Sequence, residues 1–359
     1  MKKKILTSFL TAVLAASLLG TFPVTAAEGE NIDMVPAEGN AGADTAETMV
    51  KSYLTGLDVP ESEGRVRPVA IMLNNIKQAC PQAGIANAGV VYEAPVEGDI
   101  TRLMGIFEDY KDLGRIGSVR SCRDYYLFYA NEFDAIYVHY GQSEFAKTYL
   151  DQHLIDNLNG ITLGGTAFYR STDRKAPHNA YTTYELLQQG IDKMGYRREL
   201  KEGYEGHYQF VPEGTENTLP DGTAAAEVHF NNFGHNQPWF TYDPATKKYL
   251  RSQFGGPQID ELTGEQLTCD NILVQYSDVQ LYDNTTYKKI DTADDGDGVA
   301  GGRGKYITRG KAIDVTWQKD SPWGITHYFT SDNQEVQLNP GTTWVEIVQK
   351  DKLDQITYQ

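Results

Sequence analysis

The segment Arg67-Pro-Val-Ala-Ile-Met-Leu-Asn-Asn75 begins the folded part of this 359-residue chain. Its centre, Val69-Ala-Ile-Met-Leu73, is an unbroken apolar run of the length typical of a buried strand. Asn74 and Asn75 follow, and asparagines of this kind favour the turn that ends a strand. The segment therefore predicts that the first folded element is a short buried strand.

Strands and helices alternate in the part of the chain that follows. Further apolar runs predict strands at Val90–Tyr92, Leu103–Phe107 and Ala135–His139. Apolar residues at helical spacing predict a helix that begins near Ser121 or Asp124, and helices over Glu144–Leu150 and Thr183–Met194. This alternation predicts a layered αβ N-terminal domain over residues 66–205.

The composition changes after residue 205. Residues 206–226 are rich in Gly, Pro, Thr and Glu, which predicts a linker. Residues 227–350 contain short aromatic and β-branched runs between turn residues, which predicts a mainly β C-terminal domain. The predicted fold class is therefore mixed αβ (α+β).

The first 27 residues have the pattern of a secretory signal peptide. Lysines precede a short apolar stretch, and the small residues after it predict cleavage near Ala26 or Ala27. Residues 28–65 are acidic and rich in small residues, which predicts a flexible tether. We therefore expect a secreted or extracytoplasmic protein of the cell envelope.

Charge and cysteine content narrow the possible partners. The formal net charge is −17 at pH 7, whereas duplex nucleic acid and anionic lipid both require a basic surface. No cysteine precedes Cys80, so we expect no lipid attachment point and no direct membrane anchor. Cys80 and Cys122 could pair and leave Cys269 free, or all three thiols could be free. Their spacing matches no zinc pattern, and we expect no metal and no cofactor.

The segment Arg115-Ile-Gly-Ser-Val-Arg-Ser-Cys-Arg123 is basic in an otherwise acidic chain. Guanidinium groups match carboxylate and phosphate oxygens in pairs, so the segment predicts an anion pocket. A helix capped by Ser121 would add partial positive charge to that pocket. The residues expected to gather there are Glu93, Glu97, Arg102, Arg120, Ser121 and Arg123. The structural alternative is that these acids and arginines pair with one another.

A second basic run, Arg170-Ser-Thr-Asp-Arg-Lys-Ala-Pro-His178, adds Arg170, Arg174 and His178 to the candidate binding residues. His139 ends a predicted strand and His178 lies in a loop, and both are positions where ligand-binding side chains collect. Either histidine could act as a general acid or base, or could be a hydrogen-bonded structural residue. No catalytic residue can be assigned, because the nucleophile-elbow and P-loop motifs are both absent from the sequence.

Nine segments are familiar as a set: Arg67–Asn75, Pro81–Gly84, Val91–Glu93, Glu97–Arg102, Gly117–Arg123, Tyr137–Gly141, Ala176–Tyr181, Gly310–Trp317 and Leu338–Trp344. Together they resemble the YerB-like family of bacterial cell-envelope proteins. The resemblance covers nearly everything after the tether. It implies two family domains of unknown function, a layered αβ first domain, and relatives that are often described as lipoproteins.

Two functions from different classes fit these observations. The first is a binding or interaction protein, not an enzyme, that recognises an anionic small molecule, an anionic cell-wall component or a protein partner. The alternative is a phosphotransferase or hydrolase that acts on phosphorylated or acidic wall glycans, with arginines holding a pyrophosphate group. The lack of a catalytic motif favours the binding protein.

Overall fold

A computed structural model describes residues 47–293 and 301–359. The predicted signal peptide and the first part of the predicted tether lie outside the described residues. The elements of the first half, in chain order, are β1 (Met49–Lys51), β2 (Asp58–Pro60), α1 (Glu61–Gly64), β3 (Val69–Asn74), β4 (Val90–Pro95), β5 (Thr101–Phe107), β6 (Ile116–Gly117), α2 (Asp124–Glu132), β7 (Ile136–His139), α3 (Glu144–Asp151), β8 (Asn157–Asn159), β9 (Tyr169–Arg170), β10 (Ala180–Thr182) and α4 (Tyr184–Met194).

The second half consists of strands. They are β11 (Gln209–Phe210), β12 (Thr223–Ala224), β13 (Glu227–Phe230), β14 (Trp239–Asp243), β15 (Lys248–Gln253), β16 (Gly256–Pro257), β17 (Thr268–Cys269), β18 (Asn271–Ser277), β19 (Val279–Leu281), β20 (Lys288–Ile290), β21 (Gly302–Thr308), β22 (Lys311–Gln318), β23 (His327–Phe329), β24 (Gln337–Leu338), β25 (Thr343–Gln349) and β26 (Ile356–Tyr358). Short 3₁₀ turns occur at Lys77–Ala79, Ile85–Asn87, Glu97–Asp99 and Lys350–Gln355.

One large mixed sheet runs through both halves of the chain. Its strand order is β12-β22-β21-β18-β25-β4-β5-β3-β7-β8, with β23 paired to β22. The two halves meet where β25 pairs in parallel with β4. At this junction Glu346 lies opposite Glu93. Residues from opposite ends of the described chain therefore share one sheet.

The large sheet is buried on both faces. Along β3, Val69, Ile71 and Leu73 belong to one apolar cluster, and Ala70 and Met72 belong to the other. Successive side chains of a strand point to opposite faces, so a strand covered on both sides is apolar throughout. Helix α4 and a six-stranded sheet (β16-β15-β14-β13-β26, with β17) contribute to the first cluster, and α2 and α3 contribute to the second.

The mixed αβ class with a strand-rich second half, predicted from the sequence, is confirmed. The predicted helices are found as α2, α3 and α4, and helix α2 begins at Asp124 and not at Ser121. Residues 47–65 differ from the predicted flexible tether. They form the β1–β2 hairpin and α1, because Leu54 is buried in the core and Ser52 Oγ accepts hydrogen bonds from two backbone N–H groups.

The three cysteines form no disulfide. Cys80, Cys122 and Cys269 are all free thiols, so the possible pairing of the first two is not found. Over residues 47–293 and 301–359, no helix combines the length and the apolar character that crossing a membrane requires.

Candidate functional site

The arginine-rich segment lies across the ends of two parallel strands of the large sheet. Strands β3 and β7 are parallel neighbours. The backbone N–H of Arg120 donates to Met72 O in β3 at 2.9 Å, and its carbonyl accepts from Tyr140 N, just after β7, at 3.0 Å. Ligands of αβ sheets commonly bind beyond the carboxyl ends of parallel strands. The sheet therefore holds Arg120 at an edge suited to binding.

Helix α2 follows this segment directly but does not present a free N-terminus. Arg123 is its N-cap residue and makes no side-chain cap. The hydroxyl of Ser121, which was the possible cap, donates instead to Tyr140 O at 3.1 Å. The carboxylate of Asp124 stands in the first turn and accepts from the Tyr282 hydroxyl at 2.6 Å. The positive end of the helix therefore already has a carboxylate beside it.

Glu97, in the turn between β4 and β5, pairs with two arginines. Arg123 Nε donates to Glu97 Oε2 at 2.9 Å, and Arg123 Nη2 donates to the other oxygen. Arg102 Nη2 lies 3.9 Å from Glu97 Oε1, and its Nη1 donates to Ser121 O at 2.6 Å. Arg102 and Arg123 are 3% and 5% exposed, so neither offers a free guanidinium group at the surface.

The ionisation of this group follows from its contacts. Burial alone would raise the pKa of the Glu97 carboxyl, but hydrogen bonds from Arg123 and the charges of Arg123 and Arg102 lower it below its ordinary value. Burial lowers the pKa of Arg102 to about 10, and the charge of Arg123 adds to the effect. A carboxylate held ionised by two arginines is a weak base, since a general base works best with a pKa near the working pH.

Arg120 differs from the other arginines of the group in its contacts. Its side chain is half-buried, and its Nη1 reaches only Pro177 O, at 3.3 Å. Its Nε is buried and has no hydrogen-bond partner. In the part of the chain that the structure describes, no carboxylate forms an ion pair with it. Burial lowers the pKa of Arg120, and the charges of Arg123 and Arg170 lower it further, whereas the charge of Glu97 partly opposes them.

Arg170 and His178 lie beside Arg120 at the surface. Arg170 is exposed, its Nη1 donates to Asn179 Oδ1 at 2.9 Å, and its guanidinium stacks 4.5 Å above the Tyr140 ring. The Nδ1 of His178 lies 2.8 Å from Asn74 Nδ2. Because that amide nitrogen is a donor, Nδ1 accepts and the ring proton resides on Nε2.

The guanidinium of Arg174 is bonded to other groups of the protein. Its guanidinium donates to the carbonyl oxygens of Ala79 and Pro81 and pairs with Glu261, which also pairs with Arg115. Arg174 therefore contributes positive potential near His178, whose pKa is lowered first by burial and then by Arg120 and Arg174.

Glu93 and His139 lie away from this group. Glu93 is fully buried and pairs with Arg251, a residue of the six-stranded sheet. His139 is fully buried, and its ring nitrogens lie 2.7 Å from Gly141 O and 3.1 Å from Asn157 Oδ1. Both side chains are therefore bonded to other buried groups of the protein and serve its folded structure. The sequence did not indicate Arg251 as the partner of Glu93, because no local pattern links residues so far apart.

Among residues 47–293 and 301–359, no three His, Cys, Asp or Glu side chains come together in a way that could hold a metal ion.

Comparison with known families gives two matches that follow one another along the chain. Residues 54–197 match the family described as "Protein of unknown function (DUF3048) N-terminal domain". Residues 227–345 match the corresponding C-terminal domain. Together the two matches cover more than half of the chain.

A relative and a solved structure agree with these matches. The chain is 30% identical over 321 residues to "Putative lipoprotein YerB" of Bacillus subtilis strain 168, which covers 86% of this chain and 89% of the relative. The crystal structure of the YerB protein from Bacillus subtilis superimposes with a TM-score of 0.75 at 29% identity and covers 86% of this chain and 99% of that one. The family resemblance inferred from the sequence is confirmed.

Proposed function

This chain belongs to the DUF3048 family, the family of Bacillus subtilis YerB, and from this membership we propose an extracytoplasmic binding protein that recognises an anionic group through Arg120. The location is supported by the lipoprotein name of the relative and by the signal-peptide pattern of the first 27 residues. The anion is a phosphate or carboxylate group of a small molecule, a wall component or a protein partner.

The observation that carries the proposal is the unpaired guanidinium of Arg120. Burying a charge without a partner is costly, so buried charges in proteins are normally paired. Arg120 has a buried Nε without an acceptor and shares its surroundings with two other arginines. An anion bound to the guanidinium would supply the carboxylate or phosphate partner that Arg120 lacks among the described residues, because guanidinium binds such groups with two parallel hydrogen bonds.

The surroundings of Arg120 favour the same ligand. Arg102 and Arg123 lie near Arg120 and have only Glu97 to offset their charge. Arg170 and His178 also lie near Arg120. The net charge of the group is therefore positive in a chain whose total is −17. Arg170 and the Nε2–H of His178 are further donors that a multivalent anion could reach.

The test is a titration with two simple anions, inorganic pyrophosphate and citrate. We expect at least one of them to raise the melting temperature of the protein and to bind in a calorimetric titration, since a ligand stabilises the state that binds it. The variant Arg120→Gln should bind about tenfold or more weakly, because it loses a charge-assisted pair of hydrogen bonds.

A matched control is Arg198→Gln. Arg198 is exposed and already pairs with Asp192 on α4, so its removal should leave the affinity unchanged. The proposal fails if neither anion binds the wild-type protein, or if Arg120→Gln binds both anions as tightly as the control does.

A further inference from the structure

A cleft of about 770 Å³, whose lining does not include Arg120, opens between the two halves of the chain. One wall is formed by residues 75–78 and by Gly98 and Ile100, and the other by the strand ends and turns of β13, β14 and β15. Its volume lies in the range of small-molecule sites, which span about 300–1,000 Å³. We propose that this amide cleft binds a neutral polyhydroxylated ligand, namely a segment of an uncharged glycan.

The lining has the chemistry that hydroxyl groups require. Five side-chain amides line the cleft: Asn75, Gln78, Asn231, Asn236 and Gln237. An amide group carries both a donor and an acceptor, as a hydroxyl does, so the two match in either direction. The lining residues of the described chain include no Asp or Glu; their ionisable members are Lys77, His229 and His235. A ligand rich in hydroxyls and without charge therefore suits this lining.

Asn236, at the inner end of the cleft, lacks a hydrogen-bond donor. It is 1% exposed, and its Nδ2 donates to Glu93 Oε1 at 2.7 Å and to Gln253 Oε1 at 3.2 Å. Because both partners are acceptors, the amide group cannot be flipped, and the positions of Nδ2 and Oδ1 are fixed. That oxygen has no partner, whereas neighbouring Asn75 satisfies both of its amide atoms. A ligand hydroxyl is the donor that Asn236 lacks.

Aromatic rings form the other part of the cleft. Trp239 and His229 are opposite one another on β14 and β13, with ring planes 7° apart and centroids at 6.0 Å. The Phe254 ring also lines the cleft and is partly exposed. Flat aromatic faces beside polar groups suit the alternating apolar and hydroxylated faces of a sugar ring.

The backbone conformation of Phe254 is one that a phenylalanine rarely adopts in a turn. Phe254 and Gly255 form the two-residue loop between β15 and β16, with φ values of 53° and 81°. Loops of this kind strongly favour Asn-Gly, and a bulky side chain with positive φ is rare. Strained residues of this kind concentrate at ligand sites. A contact with a ligand in the cleft would account for a phenylalanine at this position.

The strands around the cleft argue against an extended peptide as the ligand. A peptide that adds a strand needs an unpaired strand edge. Strand β13 pairs with β14 and β26, and β14 pairs with β13 and β15. Strand β15 pairs on its other side with β16 and β17. The lining strands therefore have both of their edges occupied.

The test uses two neutral tetrasaccharides, N-acetylated chitotetraose and unacetylated maltotetraose. We expect saturable binding of at least one of them at millimolar concentration, followed by calorimetry and by tryptophan fluorescence. The variant Phe254→Asn should weaken binding about tenfold or more, because it removes an aromatic contact. The same variant should raise the melting temperature, since Asn-Gly suits the turn better.

Two further variants make the result decisive. Trp239→Ala should also weaken binding about tenfold or more, whereas Arg120→Gln should bind the tetrasaccharide as the wild type does. The inference is overturned if neither tetrasaccharide binds, if Phe254→Asn and Trp239→Ala bind as tightly as the wild type, or if a neutral alanine-rich peptide binds in place of both sugars. Because Arg120→Gln affects only the anion site, failure here leaves the proposed anion binding to be judged by its own titration.

Discussion

Arg120 and Glu108 are half-buried ionisable side chains whose surroundings do not offset the cost of burial. Arg120 lacks a carboxylate partner, as described above. Glu108 accepts a hydrogen bond from the Ser52 hydroxyl and lies near the charge of Arg65. Burial outweighs both contacts and raises the pKa of Glu108 from 4.5 to about 7. The folded protein therefore holds a proton on Glu108 at pH values where the unfolded chain has released it.

This shift gives the variant Glu108→Gln a pH-dependent effect. Because the pKa is higher in the folded state, the free energy of unfolding of the wild type falls as pH rises from 4.5 to about 7 and stays reduced above it. Glutamine resembles the protonated carboxyl and cannot ionise. We expect the variant to equal the wild type near pH 4 and to exceed it at pH 8 by on the order of 1–3 kcal/mol.

Urea unfolding at the two pH values measures this difference, and the comparison at acidic pH serves as the control. A variant that differs from the wild type by the same amount at both pH values would show that Glu108 titrates normally in the folded state.

At the residue scale, sequence reasoning located the arginine group but not its internal pairing. Three arginines in nine residues were enough to indicate Arg120. Arg115 pairs with Asp173 and Glu261, and Arg123 pairs with Glu97, and these carboxylates are distant in sequence, so only the fold decides which arginines are paired. The cleft lined by Asn236 and Phe254 carries no local sequence signal, since its two walls come from distant parts of the chain.

At the scale of single elements, helix α4 shows how side-chain capping sets a boundary. Thr183 is its N-cap, and the Thr183 hydroxyl accepts from Leu186 N at 3.3 Å. The helix ends at Gly195, whose φ of 68° suits glycine. Its buried face, which includes Leu187 and Ile191, packs on the large sheet. Both ends of α4 therefore have a recognisable capping residue, which explains why the boundaries of this helix were predicted closely from the sequence.

The cap gives a prediction for Thr183→Ala. Removing the hydroxyl leaves the Leu186 N–H without its acceptor, and we expect the free energy of unfolding to fall by about 1 kcal/mol. Thr183→Ser keeps an acceptor and should stay close to the wild type. Urea unfolding of the two variants at neutral pH measures both. Equal losses in the two variants would mean that the methyl group, and not the cap, is responsible.

Element types were easier to predict from the sequence than their pairing. The apolar runs of β3, β5 and β7 and the amphipathic spacing of α3 and α4 identify these elements locally. The parallel pairing of β25 with β4 does not follow from either sequence, because both are apolar runs that many partners would satisfy. Residues 49–64 were predicted as tether because the hairpin and helix there are very short.

At the scale of the whole molecule, a buried ion pair joins the large sheet to the six-stranded one. Arg251 is fully buried, pairs with Glu93, and donates to Glu346 Oε1 at 2.8 Å. Its guanidinium also stacks 4.1 Å above the Trp344 ring. Burial and the charge of Glu93 raise the pKa of Glu346 well above its ordinary value, which favours the protonated form of Glu346.

This assignment makes two variants differ sharply. Arg251→Ala removes the buried guanidinium that pairs with both Glu93 and Glu346, and we expect a loss of about 3–5 kcal/mol in the free energy of unfolding. Glu346→Gln replaces a protonated carboxyl by a neutral amide of the same shape and should change stability by less than about 1.5 kcal/mol. Chemical unfolding near neutral pH compares them. A loss in Glu346→Gln as large as in Arg251→Ala would mean that Glu346 is ionised in the folded protein.

A crystal structure of the protein soaked in selenate would show whether an anion binds Arg120 at the ends of β3 and β7. Selenium gives an anomalous signal that distinguishes the anion from water. We predict a selenate with an oxygen about 2.7–3.2 Å from a guanidinium nitrogen of Arg120. A map without selenate at that position, in which Arg120 contacts only water and protein carbonyl groups, would show that Arg120 does not bind anions.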